Sequence, residues 1–535
     1  MLNRFLIHRI SGLFMAWVLV LPLFSQDDTP PKDWFHRDLA SQQYAGVSSF
    51  QAYELLKGRT SRTVVVAVID SGVDIEHEDL KEVIWVNEDE IPNNGIDDDN
   101  NGYVDDIHGW NFIGGKDGSH INQDALEMTR IVAAWSTKFQ NADPKKLTKE
   151  DRNRYEVYQA ARKELMETRE KAEKNLATYT VLDESLQLVI EAGQKQGLSK
   201  VTGKNTSQID AAGDEELSSS IEMVKMITAD DPEVELSSIR EELKGALDYF
   251  NNSLNYHLNT AFDPRSIVGD DYGNSNERIY GNNDVIGPDA THGTHVAGII
   301  AAQRGNGIGM DGIADNVRIM VIRCVPDGDE RDKDVANSIR YAADNGAHII
   351  NMSFGKGYAW DKEAVDEAVK YAEAKGVLLI HAAGNESQNV DEEVRYPTRY
   401  YDRGGKAKTW MEIGALSWMA APRQVGSFSN YGKKTVDLFS PGVAIYSTVP
   451  GSAYESLQGT SMAAPAAAGV AAVIMSYFPD FSAKDVRKIL EKSAITTKEE
   501  VRIPGSKETT TFDKLSKTGG RINLLEAVKL ATEKS

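Results

Sequence analysis

The run Thr63-Val-Val-Val-Ala-Val-Ile69 is apolar from Val64 onward and stops at Asp70-Ser-Gly72. A strand wet on one side alternates polar and apolar residues. An unbroken β-branched run therefore predicts a strand covered on both faces, which requires a layer on each side of its sheet. The same texture returns after residue 285, with strand-like runs at 318–323, 348–352, 377–382, 411–416 and 435–439. Helical patterns lie between them at 334–345 and 361–375, and another follows Thr460. Alternation of this kind predicts an α/β fold, a three-layer parallel sheet with helices on both faces.

Residues 120–262 interrupt it. They are rich in Lys, Glu, Ala and Leu at helical spacing. Thr148-Lys-Glu-Asp151 resembles a capping box, after which Tyr158, Leu165, Ala172 and Tyr179 recur every seven residues, with Ala161 and Leu182 on the adjacent row. A second cap at Ser238 opens Ile239, Leu243, Leu247, Phe250 and Leu254. This predicts an inserted α-helical hairpin or small bundle between 26–119 and 263–535. It is either a surface decoration or a device that restricts access to a site formed by its flanks.

Residues 1–25 read as a signal peptide. Arg4 and Arg9 precede an apolar run over 10–24, Ser25 marks a cut, and the run is short of the about 20 residues a spanning helix needs. An uncleaved anchor is the alternative. The mature chain is expected to be exported, periplasmic or extracellular, with no transmembrane segment. Lys plus Arg is 59 against 81 Asp plus Glu, a net charge of -22, which argues against nucleic acid as a partner. The single cysteine, Cys324, excludes an intrachain disulfide and reads as a small apolar side chain. Bound metal ions are then the expected reinforcement outside a cell.

Four segments carry chemistry. Asp70 ends the first buried strand, where open α/β sheets place their sites, although alone it would be a turn aspartate. His292-Gly-Thr-His295-Val-Ala-Gly298 surrounds a histidine with small residues that let a helix start close to a sheet. Its two histidines, three apart, also fit a metal pair, but without the glutamate of a zinc-protease helix. His381-Ala-Ala-Gly384-Asn385-Glu386 ends a strand in a turn. Gly459-Thr-Ser461-Met-Ala-Ala-Pro465 puts a serine at the start of an Ala-rich helix, where backbone N–H groups favour an anion. Taken singly, these are a turn asparagine and a cap serine. Taken together, a serine needs a base, the base an orienting carboxylate, and the oxyanion its donors.

In the order Asp, His, Ser, these segments resemble the three signature segments of the subtilisin-like serine peptidases, the subtilase family. The resemblance covers about residues 35–115 and 263–530. It implies that Asp70 orients His292, that His292 is general base and then acid, that Ser461 is the nucleophile, and that Asn385 lines the oxyanion hole with the Ser461 N–H. Ser353, Phe354 and Gly355 match the segment beside which substrates lie as an added strand. Arg395 stands before Tyr396-Pro397, at the border of the first specificity pocket, where it either lines the pocket or pairs with Glu386 or Glu393. The Tyr396-Pro397 bond is cis by that analogy. Gly519 to Val528 matches the helix that closes the domain.

The resemblance also has departures. His292 follows Asp70 by 222 positions, the insertion supplying the excess. The stretch before Thr63 leaves no room for a separate folding propeptide, and no domain is expected after the closing helix. Residues 94–106 repeat the start of an EF-hand-type loop, with Asp97, Asp99 and Asn101 followed by glycine and with Asp105 or Asp106 standing in for the last ligand. They predict a structural calcium ion, as does Asp79, which matches a family position that can ligate calcium through the loop 303–310. No cofactor is needed for the chemistry. The function expected is a secreted serine endopeptidase acting on protein or peptide substrates. A catalytically silent binding protein on the same fold would lack one of these residues. An α/β-hydrolase esterase would need another chain order and a further glycine after Ser461.

Overall fold

The computed structural model describes residues 29–535; the expected signal segment lies outside them. Among the described residues nine strands share one sheet: β1 (Val64–Asp70), β2 (Gly109–Asn111), β3 (Val317–Arg323), β4 (Ile349–Met352), β5 (Leu378–Ala382), β6 (Trp410–Leu416), β7 (Leu438–Pro441), β8 (Ile495–Thr496) and β9 (Gly520–Arg521). Their order is β8-β9-β7-β6-β5-β4-β1-β3-β2. Every pairing is parallel except that of β8 with β9.

The β1 run divides its side chains between two cores. Val64, Val66 and Val68 face one with the helices Thr291–Ala301 (α1) and Thr460–Tyr477, while Ala67 and Ile69 face the other with Asp332–Asp344 (α2) and Lys362–Ala374 (α3). This is the three-layer arrangement that an unbroken apolar strand requires. Thr460–Tyr477 (α4) is long and apolar enough to cross a membrane on composition alone, contrary to the reading that no later segment is. It is 89% buried, so its apolar surface is spent on the core. The run expected at 435–439 enters the sheet as β7, starting at Leu438, because the preceding Asp437 is a buried acceptor for Arg399 and Arg487. Cys324 is fully buried, and burial pushes its thiol well above its ordinary range.

The chain divides into two compact units, 30–127 with 263–535, and 128–262. Residues 120–127 thus fold with the sheet. The second unit is helical. Lys149–Lys195 starts at Thr148, whose hydroxyl accepts from Asp151 N–H at 3.1 Å, and it buries Tyr158, Ala161, Leu165, Ala172, Tyr179 and Leu182. Glu215–Ile227 and Leu236–Asn252 belong to the same unit, and Phe250 stacks on Tyr179 with ring centres 5.6 Å apart. The last helix has Glu235 at its N-cap, three residues before the expected cap, and buries Ile239, Leu243, Ala246 and Phe250. Leu247 and Leu254 are half-buried. Two successive steps of four drift off a helix face, and alternating threes and fours stay on it.

Both junctions with that unit are tied to one buried residue of the sheet unit. Arg331, 2% exposed, bonds Asp124 through Nε at 2.7 Å and a terminal nitrogen at 2.9 Å, and that nitrogen also donates to Asp263 at 2.8 Å. The neighbouring Lys356 ammonium, also buried, reaches Glu127 at 2.6 Å and Asp332 at 2.8 Å.

Candidate active site

Parallel strands leave their carboxyl ends at one edge, and ligands of open α/β sheets bind there. Here β1 ends at Asp70, β4 runs on into Ser353, and β5 runs on into Asn385. Since β4 pairs with both β1 and β5, the three strands bring these segments to one edge of the sheet.

Asp70 is buried, and its Oδ1 lies 2.7 Å from Nδ1 of His292. The same oxygen accepts from Ser71 N–H at 2.8 Å, so the carboxylate cannot turn away from the ring. Gly293 makes the approach possible, since a Cβ there would sit 2.1 Å from the Gly72 carbonyl oxygen. His292 keeps 38% of its side chain open to solvent. Crowding by the protein opposes its charge, but the Asp70 charge and hydrogen bond, with Asp289, outweigh that and raise its pKa above the ordinary 6.5. His295 is turned to the neighbouring backbone. Its Nε2 bonds the carbonyls of Ile445 and Glu455 at 3.0 and 3.2 Å, and burial drives its pKa down to about 3.

Ser461 occupies the first turn of α4, where helix N–H groups have no partner within the helix. Its hydroxyl donates to the Ser353 carbonyl at 3.1 Å, so reaching a base requires a turn about χ1. Pro465 lies inside the helix and cannot give Ser461 C=O its i→i−4 bond. Ser353 Oγ supplies that bond at 2.9 Å and itself accepts from Asn351 Nδ2 at 2.9 Å. A proline and two polar residues thus fix the backbone that carries the serine. Asn385 Oδ1 accepts from the Thr460 N–H at 2.7 Å and hydroxyl at 2.9 Å, which leaves the Nδ2 end of the amide as the donor. Phe354 is half-buried and Gly355 exposed.

Arg395 is turned to the segment after Asn385. It lies 3.3 Å from Glu386 Oε2 and donates to Gln388 at 2.9 Å. The Tyr396-Pro397 bond is cis.

The acidic loop folds around its own amides, and Asp97 and Asp99 each turn an oxygen to the Asn101 N–H, at 3.1 and 2.9 Å. Asp97 accepts from the N–H groups of Asn101 and Gly102, and Asp105 from those of Asn94 and Gly95. Asn101 turns its Nδ2 to Asp99 and Asp106. Asp99 and Asp106 come together with Glu90, one oxygen of each lying within 4.8 Å of the others. Glu90, missed in the sequence, stands outside the loop and accepts from the N–H groups of Asp98, Asp99 and Asp105. Burial raises Asp106 to about 6, against hydrogen bonds from Tyr341, Asn87 and Asn101. Asp79 stands elsewhere, buried, with Asn306 Nδ2 on Oδ1 at 2.7 Å and Met310 N–H on Oδ2 at 3.1 Å.

A central parallel sheet covered by helices on both faces, with these residues at its carboxyl edge, defines an α/β protein of the subtilisin-like class. The model of the Subtilase family matches residues 61–520, and the chain belongs to that family. The Thermophilic serine proteinase of Bacillus sp. (strain AK1) is 36% identical over 243 residues, 44% of this chain and 52% of that protein. Subtilisin DY of Bacillus licheniformis is 37% identical over 207 residues, 38% of this chain and 70% of that protein. Thermitase of Thermoactinomyces vulgaris is 35% identical over 264 residues, 47% of this chain and 82% of that protein. The match thus spans about half the length of the first relative and more of the other two.

Proposed function

We propose that the protein is an exported serine endopeptidase in which Ser461 attacks, His292 moves the proton and Asp70 orients the ring. The carrying observation is the 2.7 Å bond between Asp70 and His292 at the sheet edge where Ser461 starts its helix. Ser461 Oγ adds to the scissile carbonyl as His292 Nε2 takes its proton, and His292 then gives that proton to the leaving amine. The oxyanion is met by Asn385 Nδ2 and the Ser461 N–H. The substrate backbone lies against Ser353 and Gly355. A fluorophosphonate should label Ser461, and casein should be digested. Failure of both would end this reading, whereas labelling without digestion would point to an esterase.

Arg395 sits at the specificity end of this reading, with its charge balanced by Glu386. Arg395→Gly leaves Glu386 unopposed. Cleavage after lysine should rise a few-fold relative to wild type, on the scale of a partly exposed pair, roughly 0.2–1 kcal/mol. Identical product profiles from a peptide library would remove Arg395 from substrate binding.

A structural calcium ion fits the Glu90, Asp99 and Asp106 group, whose hard oxygen donors and crowded charge suit that cation. Excess EDTA should lower Tm, because an ion bound only to the folded state stabilises it, and replacing both Asp99 and Asp106 with Asn should abolish the response. With chelator present, Asp106 adds a second signature. Its folded pKa, about 6, lies above the ordinary 3.8, so between those values the folded state holds the extra proton. Its contribution to stability is then lost as pH rises through that window. An unchanged Tm in EDTA would exclude the ion.

A further inference from the structure

β4 and β5 stay paired up to Met352 and His381, and then separate. The next amide on the edge that β5 turns to β4, in step with Leu378 N–H on His348 C=O, is Gly384 N–H, and it is given instead to Thr460 Oγ1 at 3.1 Å. Phe354, in the middle of the proposed substrate segment, therefore has no β5 backbone donor. Its carbonyl accepts from a side chain, His381 Nε2, at 2.8 Å. A carbonyl can only accept, so Nε2 carries a hydrogen. On the other side of the ring Nδ1 lies 2.8 Å from Glu412 Oε1. That carboxylate is fixed in turn, with Oε2 accepting from Trp410 Nε1 at 2.8 Å and its own N–H given to Asp437 Oδ2 at 2.8 Å. One proton lies between Nδ1 and Oε1, and the ring cannot turn over without breaking two bonds. His381 and Glu412 keep 1% and 6% of their side chains exposed.

The direction of the Phe354 carbonyl decides what this bond does. In an extended segment, residues two apart use the same edge. Lys356 exchanges N–H and C=O with Tyr396, both at 2.9 Å, so Phe354 and Lys356 share the inner edge. Ser353 and Gly355 then present theirs to the cleft, as the Ser353 carbonyl does toward Ser461. Gly355 lies close against the inner side, where a Cβ would come 3.2 Å from Tyr396 O and 3.6 Å from His381 Nε2.

We propose that His381 is a positioning residue for substrate binding, pinning the inner edge of 353–355 so that its outer edge is straight enough to pair with a peptide, and that Glu412 fixes the ring. This rests on the peptidase reading above. The test uses the full mature chain, extended peptide substrates and separate kcat and KM values. His381→Leu keeps bulk but removes the donor, leaves a buried carbonyl unpaired, and should raise KM by about tenfold or more with kcat within about threefold. His381→Gln retains an N–H donor and should recover most of the KM. Should the leucine variant not fold, position 412 decides. In Glu412→Gln the amide donates to Nδ1 and accepts from Trp410, so KM stays near wild type, whereas Glu412→Met frees the ring and raises KM. Equal KM values for Leu and Gln at 381, equal values for Gln and Met at 412, or a loss confined to kcat would overturn the proposal. Fluorophosphonate labelling of the wild type separates this from failure of the peptidase reading, which would leave Ser461 unlabelled.

Discussion

Ser461→Ala should lower kcat by about 10⁶, and His292→Ala by a similar factor, because in the proposed triad nucleophile and base act as a unit and losing either forfeits the joint effect. The double variant should therefore be hardly worse than either single one. In the proposed triad Asp70 acts through the ring, holding Nδ1 at 2.7 Å and leaving Nε2 to take the serine proton. Asp70→Asn should cost on the order of 10⁴ by favouring the wrong tautomer. pH supplies a second reading of the same contact. The base must be neutral, so kcat/KM rises with pH through the His292 pKa. Asp70 and Asp289 outweigh burial and hold that value above the ordinary 6.5, so the acid limb lies on its alkaline side. Asp70→Asn should move the limb toward acid. Full turnover in Ser461→Ala, measured with a peptide that reports a single cut, would end the assignment.

Asn385→Ala should lower kcat by about 10²–10³ and leave KM little changed, because in the proposed oxyanion hole the Nδ2 donor meets charge that develops only in the transition state. The expectation depends on Thr460. Its N–H and hydroxyl hold Asn385 Oδ1 at 2.7 and 2.9 Å, so the amide is aimed before substrate arrives. Thr460→Val removes only the hydroxyl and should produce a smaller loss of the same kind, in kcat and not KM. A rise in KM alone for Asn385→Ala would mean that the amide binds substrate and transition state equally.

What was legible in the sequence was whatever depends on local pattern. The β-branched run before Asp70 can lie only in a covered sheet, and the small residues around His292 and Ser461 mark where helices approach it. The heptad spacing from Tyr158 to Tyr179 gave one long helix. What was not legible depends on partners distant in sequence. Residues 329–334, Asp-Glu-Arg-Asp-Lys-Asp, look like a solvated charge run, yet Arg331, Asp332, Lys333 and Asp334 are buried because Asp124, Lys356, Asp270 and Arg265 meet them. Glu90 joins Asp99 and Asp106 only once the loop is folded, whereas the loop's own spacing marked those two among Asp97, Asn101 and Asp105. His381 reads as a polar residue at a strand end, and its role depends on where β4 and β5 part.

Arg331 has a consequence for how such a chain can change. Asp124 and Asp263 meet on one guanidinium, so the sheet unit is already closed where the helical residues leave and return. To that unit they are a turn whose length hardly matters, since each doubling of a flexible loop adds only about 0.6 kcal/mol of closure entropy. The position is a socket. One cassette of helices can be exchanged there for another, or for a few residues, while the strand that ends at Asp70 and the helix that carries His292 keep their registration.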